Sequence, residues 1–322
     1  PPRRSSDFIF FFFFFLCYGD HRDLHSFPTR RSSDLECLMI KGISYLSLEN
    51  GLEGGHPIDS ALKQTKSHGF DALELAISTQ GVLTTSTTQN ECHQIRQQID
   101  DSGLFVDSLA SGMSWAINPT SDNEAMRKQS VNLHKDALKV ASYLDCKALL
   151  YVPGVVKSPI SSEIVRYDRA LERARNAINE LLPIAEDLDI DLCIENVWNG
   201  LFYSPIELRD FVDSFDSEKL GVYLDVGNLI GYQQYPPHWV ELLGPRIKRV
   251  QIKDYRENFD WTGSFSFCDL GAGDVPWKET IDSIKAINYK STIVAEMLPW
   301  DKTLLARTSA AMNQLFDFNS ST

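Results

Sequence analysis

The sequence predicts an α/β fold, a single-domain (β/α)8 TIM barrel over residues 39–322, and three observations carry that expectation. Short apolar runs recur eight times from Met39 onward, each followed by a polar loop and then a helical pattern. Several are apolar at nearly every position, as parallel strands covered on both faces must be. The roughly 280 residues involved match the usual size of such a barrel. A doubly wound sheet, the rival arrangement, opens with a Gly-rich turn after its first strand, and GLEGG at 51–55 lacks the required spacing.

The first four strands are expected at KGISYLS (41–47), ALELAIS (72–78), LFVDSLA (104–110) and KALLYVP (147–153). Between the third and fourth, AMRKQSVNLHKDALKVASYL (125–144) puts Val131, Leu138, Val140 and Ala141 on one helical face with charges opposite. After the fourth, 161–188 opens with Ser and Glu and keeps a 3.6-residue apolar period, with Pro183 expected to kink or divide it. The fifth strand, DLCIEN (191–196), leads into PIELRDFVDSF (205–215), a helix with Pro in its first turn. GVYLDVG (221–227), IKRVQIKD (247–254) and TIVAEML (292–298) complete the set, with helix PWKETIDSIKAI (276–287) before the last. No linker rich in Pro, Gly or Ser divides the chain.

Residues 1–38 fall outside the pattern. FIFFFFFFL (Phe8 to Leu16), after Arg3 and Arg4, has the outline of a secretory signal. Its apolar run is too short to cross a bilayer as a helix, and no small-residue cleavage site follows. RRSSD occurs at Arg3–Asp7 and again at Arg30–Asp34. HSFPTRRSSDL (His25 to Leu35) looks like a translated DNA-sequencing adapter, and the Phe run like translated poly-T. The expectation is a non-native leader over 1–38 and a natural start at Met39.

Hydrophobic residues at 43% and aromatics at 11% supply a full core. The net charge of -13 argues against a nucleic-acid partner, whose affinity comes from neutralising phosphates with Lys and Arg. Beyond the leader, Cys92, Cys146, Cys193 and Cys268 show no CxxC spacing, which predicts reduced thiols in a cytoplasmic protein. No segment there is long and apolar enough to span a membrane. His56, His68, His93, His134 and His238 have no zinc-motif spacing, and His93 and His134, within helical patterns, are expected at the surface.

In a barrel of this kind the C-terminal strand ends form the site face. Glu195, Asp225, Gln251 and Glu296 stand at the ends of the last four strands, 30, 26 and 45 residues apart. One such carboxylate alone reads most simply as a cap or loop anchor. Three with an amide on consecutive strands would repel and take up protons unless a cation joined them. Oxygen donors suit Mg²⁺ or Mn²⁺.

CIENVWNG, YLDVGN, VQIKDY and VAEM resemble the sugar (phosphate) isomerase/epimerase family of xylose isomerase-like TIM barrels. Motif order and spacing agree from Glu195 onward, and the first half agrees in architecture. The resemblance implies an isomerase or epimerase acting on a small-molecule ketose or ketose phosphate. It implies one divalent cation held by Glu195, Asp225, Gln251 and Glu296, with Glu195 and Glu296 as the acid/base pair. Gln251 stands where many relatives carry a metal-binding His. Its amide oxygen would add a ligand without adding charge, favouring Mn²⁺ or Mg²⁺, with Co²⁺ as a third option, over Zn²⁺. Alternatively, Gln251 hydrogen-bonds substrate.

Further substrate-binding candidates each have a plain structural reading. Asn196 and Asn228 flank ligand positions, though Asn at a strand end is also ordinary turn chemistry. Trp115 and Trp198 offer ring faces to sugar C–H surfaces or pack in the core. Lys253 and Arg256 are the cations for a phosphate or hydroxyl, or ion-pair with Asp254 or Glu257. LGAGD (270–274) offers backbone N–H groups without matching a phosphate loop. The competing functions are a metal-dependent dehydratase of keto-inositol or dehydroshikimate type and a non-catalytic sugar-binding barrel. An abasic-DNA endonuclease is set aside for want of a histidine-rich zinc cluster. A homo-oligomer is compatible with everything above.

Overall fold

The computed structural model describes residues 39–158, 160–258 and 264–318, so the expected leader at 1–38 lies outside the described residues. The strands are β1 (Ile40–Ser44), β2 (Ala72–Ile77), β3 (Ser108–Ser111), β4 (Ala148–Tyr151), β5 (Asp191–Glu195), β6 (Leu220–Asp225), β7 (Ile247–Ile252), β8 (Asp254–Asn258), β9 (Ser264–Cys268) and β10 (Thr292–Ala295). Eight of them close a parallel barrel in the order β1-β10-β7-β6-β5-β4-β3-β2. Each expected run contributes one stave.

The helices that cover the barrel follow their local signals. Asn123 caps Glu124–Tyr143 by accepting from the Ala125 and Met126 N–H groups, and Ser204 caps Pro205–Asp213, whose Pro lacks an N–H that would go unused there. Tyr167–Asp187 runs through Pro183 undivided, so the expected break is absent. The missing Pro183 N–H leaves the Asn179 carbonyl without its intrahelical donor, one bond in a helix of 21 residues. The third strand begins later than expected, at Ser108. Gly103 ends helix Gln89–Ser102 in the left-handed conformation at φ 70°, and Phe105 then makes only an isolated parallel bridge to Ala72 before the strand proper begins.

Two apolar regions result. The larger lies between staves and helices. The smaller fills one side of the lumen with Ala148, Leu150, Val152, Cys193 and Tyr223, against which Trp115 and Val197 pack. His134 belongs to the core rather than to the surface, being fully buried. It lies three residues after Val131 and four before Leu138, squarely on the apolar face. Its Nδ1 donates to the Ser130 carbonyl at 2.8 Å and its ring meets Tyr151 edge-on. His93 is exposed as expected.

The long connection after β7 holds an antiparallel hairpin, β8–β9, that periodicity did not announce. Its base is built on the buried carboxylate of Asp254. Oδ2 accepts from Gly271 N, Gly273 N and Trp277 Nε1, and Oδ1 from Tyr255 N and Val275 N. Of the LGAGD N–H groups, those of Gly271 and Gly273 go to Asp254 while those of Ala272 and Asp274 go to the Asp269 and Tyr255 carbonyls, and a Cβ on Gly273 would overlap the Asp254 carboxylate.

Candidate active site at the barrel mouth

Strand alternation aims every second residue into the lumen. Cys193 and Glu195 on β5, Tyr223 and Asp225 on β6, and Arg249 and Gln251 on β7 are such pairs, and Glu296 follows β10 directly. Asp225 registers with Gln251, and Gln251 with Val294. Asp225 and Gln251 are fully buried, and Glu195 is 7% exposed.

The acids are gathered around Lys253, not around one another. Its Nζ lies 2.8 Å from Asp225 Oδ2 and also contacts Glu296 Oε2. Expected as a cation for substrate phosphate, Lys253 instead spends its charge on two of the predicted metal ligands. Burial alone would lower its pKa, but Asp225, Glu296 and Glu195 outweigh that and hold it above the ordinary lysine value. Burial pushes Glu195 well above the carboxylate range; Lys253 opposes the shift, while Glu296 and Asp225 add to it. Asp225 rises to about 6, again through burial with Lys253 opposing.

Gln251 points deeper. Its Nε2 donates to Glu74 Oε1 at 3.2 Å, while Glu74 Oε2 accepts from Ser108 Oγ at 3.0 Å and from the Tyr223 hydroxyl. Glu74 was not among the sequence candidates. Its signal was a lone acid at an inward position of the apolar run ALELAI. Burial raises its pKa to about 7, against the Tyr223 and Ser108 hydroxyls.

Among the described residues no group of three His, Cys, Asp or Glu is arranged to hold a metal ion as it stands. The donor set nevertheless suits one. Gln251 Oε1 is buried with no hydrogen-bond partner. Asp225 Oδ2 has the Lys253 ammonium, 2.8 Å away, as its partner. One orphaned amide oxygen beside the carboxylates of Glu195, Asp225 and Glu296 is the kind of oxygen donor set a hard divalent ion takes.

The remaining candidates separate clearly. Asn196 grips the backbone of Asp225 with both ends of its amide, and Asn228 Nδ2 reaches the Asn196 carbonyl at 3.0 Å and Glu195 Oε1 at 3.4 Å. Both amides thus hold the acids in place. Trp115 lines a cavity of about 130 Å³ together with Leu150, Val197, Glu195, Lys253 and Glu296. Trp198 stacks on Phe267 and donates to the Asn228 carbonyl. Arg256 is exposed, with its guanidinium on the Ala272 carbonyl. A larger groove of about 440 Å³ lies outside the barrel between Glu124–Tyr143 and Tyr167–Asp187. Its Lys128 and Arg173 are paired with Glu124 and Asp122, and it holds no cluster of buried acids.

Comparison with known proteins agrees with this architecture. The model of the xylose isomerase-like TIM barrel family matches residues 62–313. A D-psicose 3-epimerase of Enterocloster bolteae is 26% identical over 234 residues, 71% of this chain and 72% of that protein. A 3-oxo-isoapionate decarboxylase of Pectobacterium atrosepticum is 32% identical over 127 residues, 37% of this chain and 44% of that protein. The crystal structure of a D-psicose 3-epimerase in the presence of D-fructose superposes with a TM-score of 0.70 at 20% identity, covering 87% of this chain and 98% of that one.

Proposed function

This chain belongs to the xylose isomerase-like TIM barrel family, and on that premise we propose that it is a divalent-metal-dependent isomerase or epimerase of a ketose or ketose phosphate. One observation carries the reading: Glu195 and Glu296 line the same small cavity at the strand ends. They stand three staves apart around the barrel, on β5 and after β10, and so reach a substrate between them from different sides. The likeness to D-psicose 3-epimerases over most of the chain supports the same chemistry.

Mn²⁺ or Mg²⁺, held by Glu195, Asp225, Gln251 and Glu296, would supply Lewis-acid stabilisation of negative charge on sugar oxygens. The chain's own residues do the rest. One glutamate removes the proton alpha to the carbonyl. The other returns a proton to the opposite face of that carbon, giving an epimer, or to the adjacent carbon, giving the aldose–ketose isomer. Asn228 holds Glu195 in position, and Asn196 fixes the backbone that carries Asp225. Trp115, Leu150 and Val197 offer an apolar wall to the sugar C–H face. Lys253 is already paired and Arg256 turns outward, which favours an unphosphorylated sugar. A cytosolic setting belongs to the same reading and is supported by the unpaired Cys92, Cys146, Cys193 and Cys268. Among the described residues no helix is long and apolar enough to cross a membrane.

The partial match to a decarboxylase supports a second reading, a lyase that uses the same charge-stabilised carbanion. Incubation with a panel of ketoses and their 5-phosphates in D₂O with Mn²⁺ separates the readings. Deuterium appearing alpha to the carbonyl of an isomeric product is the expected result. Loss of CO₂ from a 3-oxo sugar acid added to the panel points to the lyase, loss of water to the dehydratase, and binding without exchange or turnover to a non-catalytic barrel.

A further inference from the structure

We propose that Lys253 is the resident counter-cation of the carboxylate cluster, and that a divalent ion enters only by displacing its ammonium from Asp225 and Glu296. The inference rests on the metal reading above and adds a residue that sets metal affinity from within the protein.

Three features show the ammonium to be seated by design of the fold. First, its side chain is 12% exposed and its two partners 0% and 12%, so water competes little for the charge. Second, the stem enters through a gap that only glycine leaves: a Cβ on Gly227 would overlap Lys253 Cγ and press on the Lys253 carbonyl. Third, the Phe267 ring, brought by the β8–β9 hairpin, lies over the ammonium at 5.5 Å to its centroid, a cation–π contact from the solvent side. Trp198 backs that ring in a stacked arrangement at 5.2 Å.

The charge balance shows why the lysine is a placeholder. One positive charge faces the three carboxylates of Glu195, Asp225 and Glu296, and Gln251 Oε1 receives no donor at all. A doubly charged ion offsets more of that negative charge and uses the orphaned Gln251 oxygen. Both cations cannot occupy Asp225 Oδ2 at contact distance, because like charges that close in a buried site repel strongly. Metal binding and lysine seating are therefore mutually exclusive. The family-typical imidazole would offer a metal a stronger donor than this amide does, so a competing lysine weighs more here than it would beside histidine.

The test is a direct Mn²⁺ titration of the metal-free protein at fixed pH and ionic strength, followed by the electron paramagnetic resonance signal of free Mn²⁺. Lys253→Met keeps the stem and deletes the charge. It is expected to bind Mn²⁺ about tenfold or more tightly than wild type, as removal of a competing charge in a screened but buried site implies. The metal-free variant should also melt lower than the metal-free wild type, with the gap closed by saturating Mn²⁺. If Lys253→Met does not fold, Lys253→Gln carries the same expectation with a polar head left for the acids. Equal or weaker Mn²⁺ binding by the variant overturns the proposal and leaves the metal reading standing. No Mn²⁺ or Mg²⁺ binding by wild type or variant at millimolar ion overturns the metal reading, and this proposal with it.

Discussion

Asn196 holds Asp225 at both ends of one residue: its Nδ2 donates to the Asp225 carbonyl at 2.8 Å and its Oδ1 accepts from the Asp225 N–H at 2.8 Å. The clamp joins the ends of β5 and β6 where the sheet ladder stops. It fixes where the Asp225 carboxylate stands, since the following N–H of Asn228 also donates to Asp225 Oδ1 at 3.1 Å. Asn196→Ala leaves a buried N–H and a buried carbonyl without partners, which should cost about 2–4 kcal/mol. Urea denaturation measures this loss; a cost within the scatter of ordinary surface substitutions rejects the clamp.

Glu195 and Glu296 are the acid/base pair of the proposed reaction. Glu195→Gln and Glu296→Gln keep side-chain volume and remove the titrating group, so each should lower turnover by about 10²–10⁴-fold. Glu195 sits against Asp225 and Glu296 as one of several like charges, so its neutralisation should leave thermal stability unchanged or raise it. Proton exchange into product, read by NMR in D₂O, decides the matter. Near-wild-type exchange in both variants removes these two residues from the mechanism.

The staves were legible because burial on two faces leaves long apolar runs, and the four candidate positions stand out because each lies at or next to the end of such a run. What periodicity could not show is pairing across the lumen. Glu74 and Gln251 meet from strands far apart in sequence, and nothing near either names the other. Lys253 is written beside Asp254 but pairs with Asp225 and Glu296, while Asp254 turns away to gather the N–H groups of the loop at Gly271 and Gly273. Asn196 and Asn228 were visible as flanking residues, yet their amides turned out to serve the backbone and the acids. His134 was misplaced for a different reason. Its polar type points to the surface, while its position between Val131 and Leu138 puts it on the core face.

That buried histidine makes stability depend on pH. His134 is fully buried with its Nδ1 on the Ser130 carbonyl and its Nε2 3.4 Å from Ser111 Oγ, and burial lowers its pKa from 6.5 to about 4. The folded value is the depressed one, so the unfolded chain takes up a proton below about 6.5 that the native protein refuses until about 4. The contribution is complete above the unfolded value and lost as pH falls toward the folded one, amounting to roughly 3 kcal/mol. Against His134→Gln, the wild-type stability advantage should shrink by about that amount between pH 7 and pH 4. Parallel stability curves for the two proteins would exclude His134 as the cause.

At the barrel floor, Arg249 Nη2 donates to Asp107 Oδ2 at 2.8 Å, with side-chain exposures of 8% and 12%. Burial raises the pKa of Asp107, and Arg249 opposes the rise, so the carboxylate relies on this partner to stay charged. Arg249→Met strands the acid in a low-dielectric lumen and should cost about 3–5 kcal/mol. The double change Arg249→Met with Asp107→Leu removes both charges and should recover most of that loss, because a buried pair contributes little over an apolar pair of similar size. Chemical denaturation of the four proteins in the cycle measures the coupling. Additive losses in the double variant would mean that packing at each position, and not the charge pairing, accounts for the destabilisation.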